Sequence, residues 1–319
     1  MTQPLLLRYE PRFLEDCVFL AARGHVQEKL YHRERNRVYE IAEPEERERA
    51  FHNLDTGWFM RLSLADPIEK AVSEQPFLSS SVGHCLVARA PGKKEEGAEL
   101  FVPPKELAGK REKPTACILL QPQSLLDPAR LLTFLRHELL HIADMLDPSF
   151  GYEPALPAAE GGPTHDRLLK DRYGVLWDAT IDGRMARRGW VPAALRGERL
   201  AEFSHAFPML GRQTEQLFSH FFDWESHTHA ELVAFACHPR AALQDPAPGP
   251  SAGSRCALCG FPTYSFEPEP DRLPAEVIAR INQDFPRWRP ADGLCTQCAE
   301  IYRARTTSRF TEMPDSLQR

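Results

Sequence analysis

Residues 127–147 constrain this chain more tightly than any other stretch. Leu131, Leu132, Leu135, Leu139, Ile142 and Leu146 recur at three- and four-residue intervals, the period of a helix with one apolar stripe. Asp127 followed by Pro128 supplies an N-cap and a first-turn residue, and Pro148 closes the segment. Within it lies His137-Glu138-Leu139-Leu140-His141, an H-E-x-x-H pattern. Four residues is just over one helical turn, so the two imidazoles leave the same side of the helix. Two neutral imidazoles so spaced can grip one zinc ion, while Glu138 is placed to reach a water beside the metal.

The stretch Ala116-Cys117-Ile118-Leu119-Leu120, just upstream, reads as a buried strand. A strand feeding an H-E-x-x-H helix resembles the core of the zincin metallopeptidases. That resemblance implies an α+β fold, mostly helical with a small sheet, and hydrolysis of peptide bonds. Glu138 would take a proton from metal-activated water and pass it to the leaving amine. Tyr152 and Tyr173 are conceivable oxyanion donors.

The chain has 319 residues and a net charge of -6, with 42% hydrophobic and 26% charged residues. That is the make-up of a globular protein without a global basic footprint for nucleic acid. The run Leu5-Leu6-Leu7 is broken by Arg8 and Glu10, too short for a signal-peptide core or a membrane span, so a cytoplasmic location and no membrane partner are expected. Four cysteines form two C-x-x-C pairs, while Cys17, Cys85, Cys117 and Cys237 are scattered in apolar settings. This usage fits metal ligands plus buried thiols rather than a disulfide framework.

The organisation follows from composition. A metallopeptidase domain is expected over 1–243, with a helical N-terminal part (1–80), strands within 84–122, the active-site helix (127–147) and a second long helix (164–188). Further helices are expected near 195–207 and 213–222, and another opens at the capping box Thr228-Glu231. The sequence QDPAPGPSAGS over 244–254 reads as a linker. A small finger is expected over 255–319.

Catalytic zinc takes three protein ligands, so one must lie outside the motif. Asp178 and Asp182 stand four apart on the second helix amid Leu176, Trp177 and Ile181. Their spacing resembles the thermolysin-like branch, where a carboxylate ligand precedes an aspartate that orients a histidine. Asp178 is the first choice, with Asp182 as an alternative. His165 is another, since the GGPTHDRLL stretch resembles the third-histidine region of SprT-like proteases, although Asp166 stands where that family has glycine. Asp147 occupies the metzincin position, Asp144 reads as an acceptor for a histidine N–H, and Glu153, Glu160, His220, His227 and His229 carry no spacing argument.

Cys256-Ala-Leu-Cys259-Gly260 and Cys295-Thr-Gln-Cys298 supply four thiolates for a structural zinc. A knuckle first and a helix-borne pair second resemble a treble-clef finger, with an intervening helix expected over 274–285. Residues 251–319 hold nine Arg and nine Asp/Glu, so nucleic acid is possible but not favoured. Arg287, Trp288, Arg289, Arg303 and Arg305 would form any basic-aromatic patch. The expected partner is a protein or peptide substrate, with one catalytic and one structural Zn2+. Two rivals stand beside this reading: a SprT-like protease of DNA-bound proteins, and a non-catalytic zinc-binding adaptor.

Overall fold

A computed structural model describes residues 6–102, 113–158, 162–243, 250 and 253–307. Glu160, residues 103–112 and most of the expected linker lie outside the described residues. The chain divides into two units: Met1–Glu153 with Arg187–Val191, and Pro154–Ala186 with Pro192–Arg319. The fold is mostly helical with one four-stranded sheet.

The first unit carries the sheet. Its strands are β1 (Leu7–Tyr9), β2 (His84–Arg89), β3 (Gly97–Phe101) and β4 (Thr115–Leu120), in the order β1-β2-β4-β3. β1, β2 and β4 run parallel, whereas β3 pairs antiparallel with β4 from Gly97↔Leu119 to Phe101↔Thr115 and forms an edge. Ala116, Cys117, Ile118 and Leu120 of β4 are buried, as a central strand covered on both faces requires. β1 lies in a stretch expected to be helical. Three residues are too few for an alternation pattern to show, and this strand exists because β2 offers it a parallel ladder.

Between β1 and β2 run α1 (Pro11–Ala22), α2 (Glu28–Tyr39), α3 (Pro44–Arg61), α4 (Asp66–Ser73) and α5 (Pro76–Ser81). Proline opens α1, α3 and α5, where its missing N–H has no intrahelical acceptor to lose. α6 (Pro128–Leu146) begins as the sequence requires, the Asp127 carboxylate accepting the Arg130 amide at 3.1 Å. Leu131, Leu135, Leu139 and Ile142 sink into the same core as Phe13, Trp58 and Ile118, each contributing roughly 1.5–3 kcal/mol. Arg136 clamps this helix to the C-cap of α4 through two bonds of 2.7 Å from its Nε and Nη2 to the Glu74 carboxylate. The Trp190 ring covers the same guanidinium at 4.2 Å.

The second unit is built around α7 (Pro163–Arg187), of which all but Arg187 belongs to it. α8 (Leu195–Ala206), α9 (Thr214–Asp223) and α10 (His229–Cys237) follow, and the expected Thr228–Glu231 capping box is formed. Phe203, Phe207, Phe218, Phe221 and Phe235 pack as an aromatic cluster with centroids 4.7–6.3 Å apart. The same unit holds α11 (Ala275–Asp284) and α12 (Thr296–Thr307), which enclose Leu273, Val277, Ile281, Trp288 and Leu294.

Gly183 sets how closely α7 meets α9, since a Cβ there would stand 1.9 Å from the Phe222 carbonyl oxygen. Backbone cannot yield to that overlap without a shift of the helix pair. Gly183→Ala is therefore expected to lose roughly 2–3 kcal/mol of stability. Calorimetric melting checks this, and an unchanged Tm would show that the α7–α9 contact is soft.

Candidate metal centres

The buried stripe of α6 decides where its histidines point. His137 and His141 each stand two residues beyond a core leucine, Leu135 and Leu139, a rotation of about 200° that carries them off the packed face. Both are half-buried. Their Nε2 atoms lie 3.2 Å apart, with ring centroids at 4.9 Å. Two nitrogens about 2.0–2.1 Å from one tetrahedral zinc stand about 3.3 Å apart, so the imidazole pair fits a shared cation.

Glu138 is held on the next side of the helix. One of its carboxylate oxygens, Oε2, accepts the Ala98 amide at 3.2 Å from the edge strand β3. Gly97 makes room, because a Cβ at that position would lie 3.3 Å from the same oxygen. A cleft of about 600 Å3 opens beside the N-terminal half of α6, lined by Lys93, Glu96, Gln121, Ser124, Arg130 and Phe134 among others. Burial pushes the Glu96 carboxyl up, but hydrogen bonds from Lys93, Ser124 and the Gln121 amide bring it below the usual range. Neither the Gly97–Ala98 contact nor this cleft is legible as a site in the sequence. A glycine opening a short strand is the only signal they leave.

The remaining candidates are sorted by their neighbours. Asp182 is buried and accepts Arg199 Nε at 2.5 Å. Asp178 is more open, its side chain 35% exposed and 4.0 Å from Arg199 Nη1. His165 stacks on Tyr264 with centroids 3.9 Å apart. Asp147 caps the end of α6 and accepts from the Ser149 amide and hydroxyl at 2.8 and 2.7 Å. Asp144 is buried on α6, and Glu153 is exposed. Tyr173 meets His229 Nδ1 through its hydroxyl at 2.8 Å, and His227 Nε2 lies 3.0 Å from the His220 carbonyl.

The four cysteines come together. Cys256, Cys259, Cys295 and Cys298 form a group whose sulfurs lie within 4.8 Å of one another and could hold a metal ion. Two of the separations, Cys256–Cys298 and Cys259–Cys295, are 3.9 Å. Sulfurs about 2.3 Å from a tetrahedral zinc are about 3.8 Å apart, so the set fits that ion. The chain reverses after the first pair at Gly260, whose φ of +73° suits a residue without a Cβ. Arg255 and Pro262 then bridge as an antiparallel pair. The second pair opens α12, and Cys298 in its first turn donates its amide to Cys295 Sγ at 3.4 Å. Burial raises the Cys256 thiol, but amides of Cys259, Cys295 and Leu258 bring it to about 7, which favours a thiolate at that position, whereas burial leaves the Cys295 and Cys298 thiols raised.

Three of the five basic-aromatic residues of this module have partners within it, while Arg287 and Arg289 are exposed. Trp288 is buried and donates its indole N–H to the Gly293 carbonyl at 3.1 Å. Arg303 pairs with Glu267 at 3.0 Å and Arg305 with Asp284 at 3.4 Å. No helix among the described residues is long and apolar enough to cross a membrane.

No protein-family model, curated protein or solved structure matches the chain.

Replacing Cys259 by Ser should lower the zinc content of purified protein by one equivalent and expose the α11 and α12 amides to exchange. Zinc analysis with hydrogen exchange measures both, and an unaltered zinc content would refute the four-cysteine set.

Proposed function

We propose that the chain is a zinc-dependent metallopeptidase of the zincin type, with the four-cysteine module as a second, structural zinc site. The observation that carries this reading is the convergence of His137 and His141 Nε2 atoms at 3.2 Å beside Glu138. Asp178 is proposed as the third ligand, on the four-residue spacing it shares with Asp182 along α7. Chemistry within α7 supports that choice. Asp182 already neutralises Arg199 at 2.5 Å, and His165, the ligand of a SprT-like arrangement, is stacked on Tyr264.

Bound zinc supplies a Lewis acid and brings the pKa of a coordinated water toward about 7. The chain's own residues do the rest. His137 and His141 are fixed in rotation by the leucine stripe beneath them, which limits the reorganisation needed for ligation. Glu138 keeps one oxygen on the Ala98 amide. We assign its other oxygen, Oε1, the role of taking a proton from the attacking water and delivering it to the departing amine. The amide anchor orients the carboxylate without neutralising it. We assign the polypeptide segment to the cleft along α6, whose lining reaches Phe134, one turn before Glu138 on the same side of the helix.

Glu138→Gln should keep the zinc content of the wild type and lose about 10²–10⁴-fold in hydrolysis of an unfolded protein or mixed peptide substrate. Asp178→Ala should lose the more easily chelated zinc as well as activity. Asp182→Asn should retain that zinc while lowering Tm. Full hydrolysis by Glu138→Gln would remove the general base, and undiminished zinc in Asp178→Ala would remove the third ligand.

A further inference from the structure

The second unit contains a cavity of about 330 Å3 that has no part in either zinc site. Two arginines line it, Arg172 from α7 and Arg240 from the turn after α10, together with Met209, His238, Tyr264 and Phe266 among others. Among the described residues, no Asp or Glu lines it. Arg172 is only 4% exposed. Its Nε donates to the Ala206 carbonyl at 3.2 Å, and its guanidinium lies 5.7 Å from the Phe207 ring centroid. Arg240 is half-buried and donates Nη1 to the Pro250 carbonyl at 2.8 Å. Among the described residues, neither arginine has a carboxylate partner.

A buried guanidinium opposed only by carbonyls and a ring face is costly to keep. Two on one cavity repel each other besides. Charges of this kind persist in folded proteins when an anion compensates them, and the planar fork of arginine matches carboxylate and phosphate oxygens. Burial holds both groups below the usual guanidinium range, with no acid raising either. Met209, Pro239 and Phe266 make part of the lining apolar. The volume lies at the lower end of that for small-molecule sites.

We propose that this cavity is a binding site for a small organic oxyanion, a carboxylate or phosphate monoester whose charged head sits between Arg172 and Arg240 and whose apolar body lies on Met209 and Phe266. The site belongs to the second unit alone and does not depend on the peptidase reading.

The test uses the full zinc-loaded chain at constant ionic strength. Phenyl phosphate and benzoate are titrated by calorimetry and thermal melting, with inorganic phosphate and chloride as references. A saturable rise in Tm with one of the two organic anions is expected, and which of them binds separates phosphate from carboxylate. Arg240→Gln should weaken that binding at least about tenfold. Arg172→Met should abolish the anion response yet raise the Tm of the ligand-free protein, because it removes a buried charge. The opposite pattern, a lowered Tm in Arg172→Met with no organic anion stabilising the wild type, would assign Arg172 a purely structural role and overturn the site. Equal binding of inorganic phosphate and phenyl phosphate would overturn the part assigned to the apolar wall. Loss of hydrolysis in Glu138→Gln with anion binding intact would leave this inference standing on its own.

Discussion

The rotation of α6 about its own axis is the constraint on which the H-E-x-x-H chemistry depends. Leu131, Leu135, Leu139 and Ile142 leave one way to seat the helix on the sheet core. Turning it by one residue, about 100°, would bury polar groups and strand leucines in water. The two-bond clamp from Arg136 to Glu74 fixes the same rotation from a second direction. With the helix pinned at both places, the histidines have no choice of side. Their nitrogens meet because the stripe behind them is made of branched hydrocarbon.

Features that depend on local chemistry were legible in the sequence. The cap at Asp127, the extent of α6, the capping box at Thr228 and the clustering of four cysteines all follow from short-range rules. What escaped the sequence depends on partners far along the chain. The strand Leu7–Tyr9 exists through its ladder with β2, seventy-eight positions away in the pairing of Leu7 with Cys85. The amide that holds Glu138 comes from Ala98, forty residues upstream. An arginine that pairs with Asp182 sits one helix later, at Arg199. No periodicity records such pairings.

The two candidate metal-ligand sets differ in how they are built. The imidazoles ride on a helix whose packing would hold without any ion, since its buried stripe is apolar and continuous. The cysteines instead sit around a small core of about ten buried residues, a scale at which a metal usually contributes outright to folding. An ion at the first set would fill a site that stands without it, whereas an ion at the second would help hold a module together.

The first unit is discontinuous in the chain, because Arg187–Val191 belongs to it although thirty-three residues of the second unit intervene. Trp190 in that returning strap covers the guanidinium of Arg136, the residue immediately before His137. During synthesis the ribosome must therefore release the whole of α7 before this stacking can form. A fragment cut after Glu153 would contain every residue of the H-E-x-x-H motif and still lack the indole that closes over its neighbour. The unit is complete only as a chain that leaves and comes back.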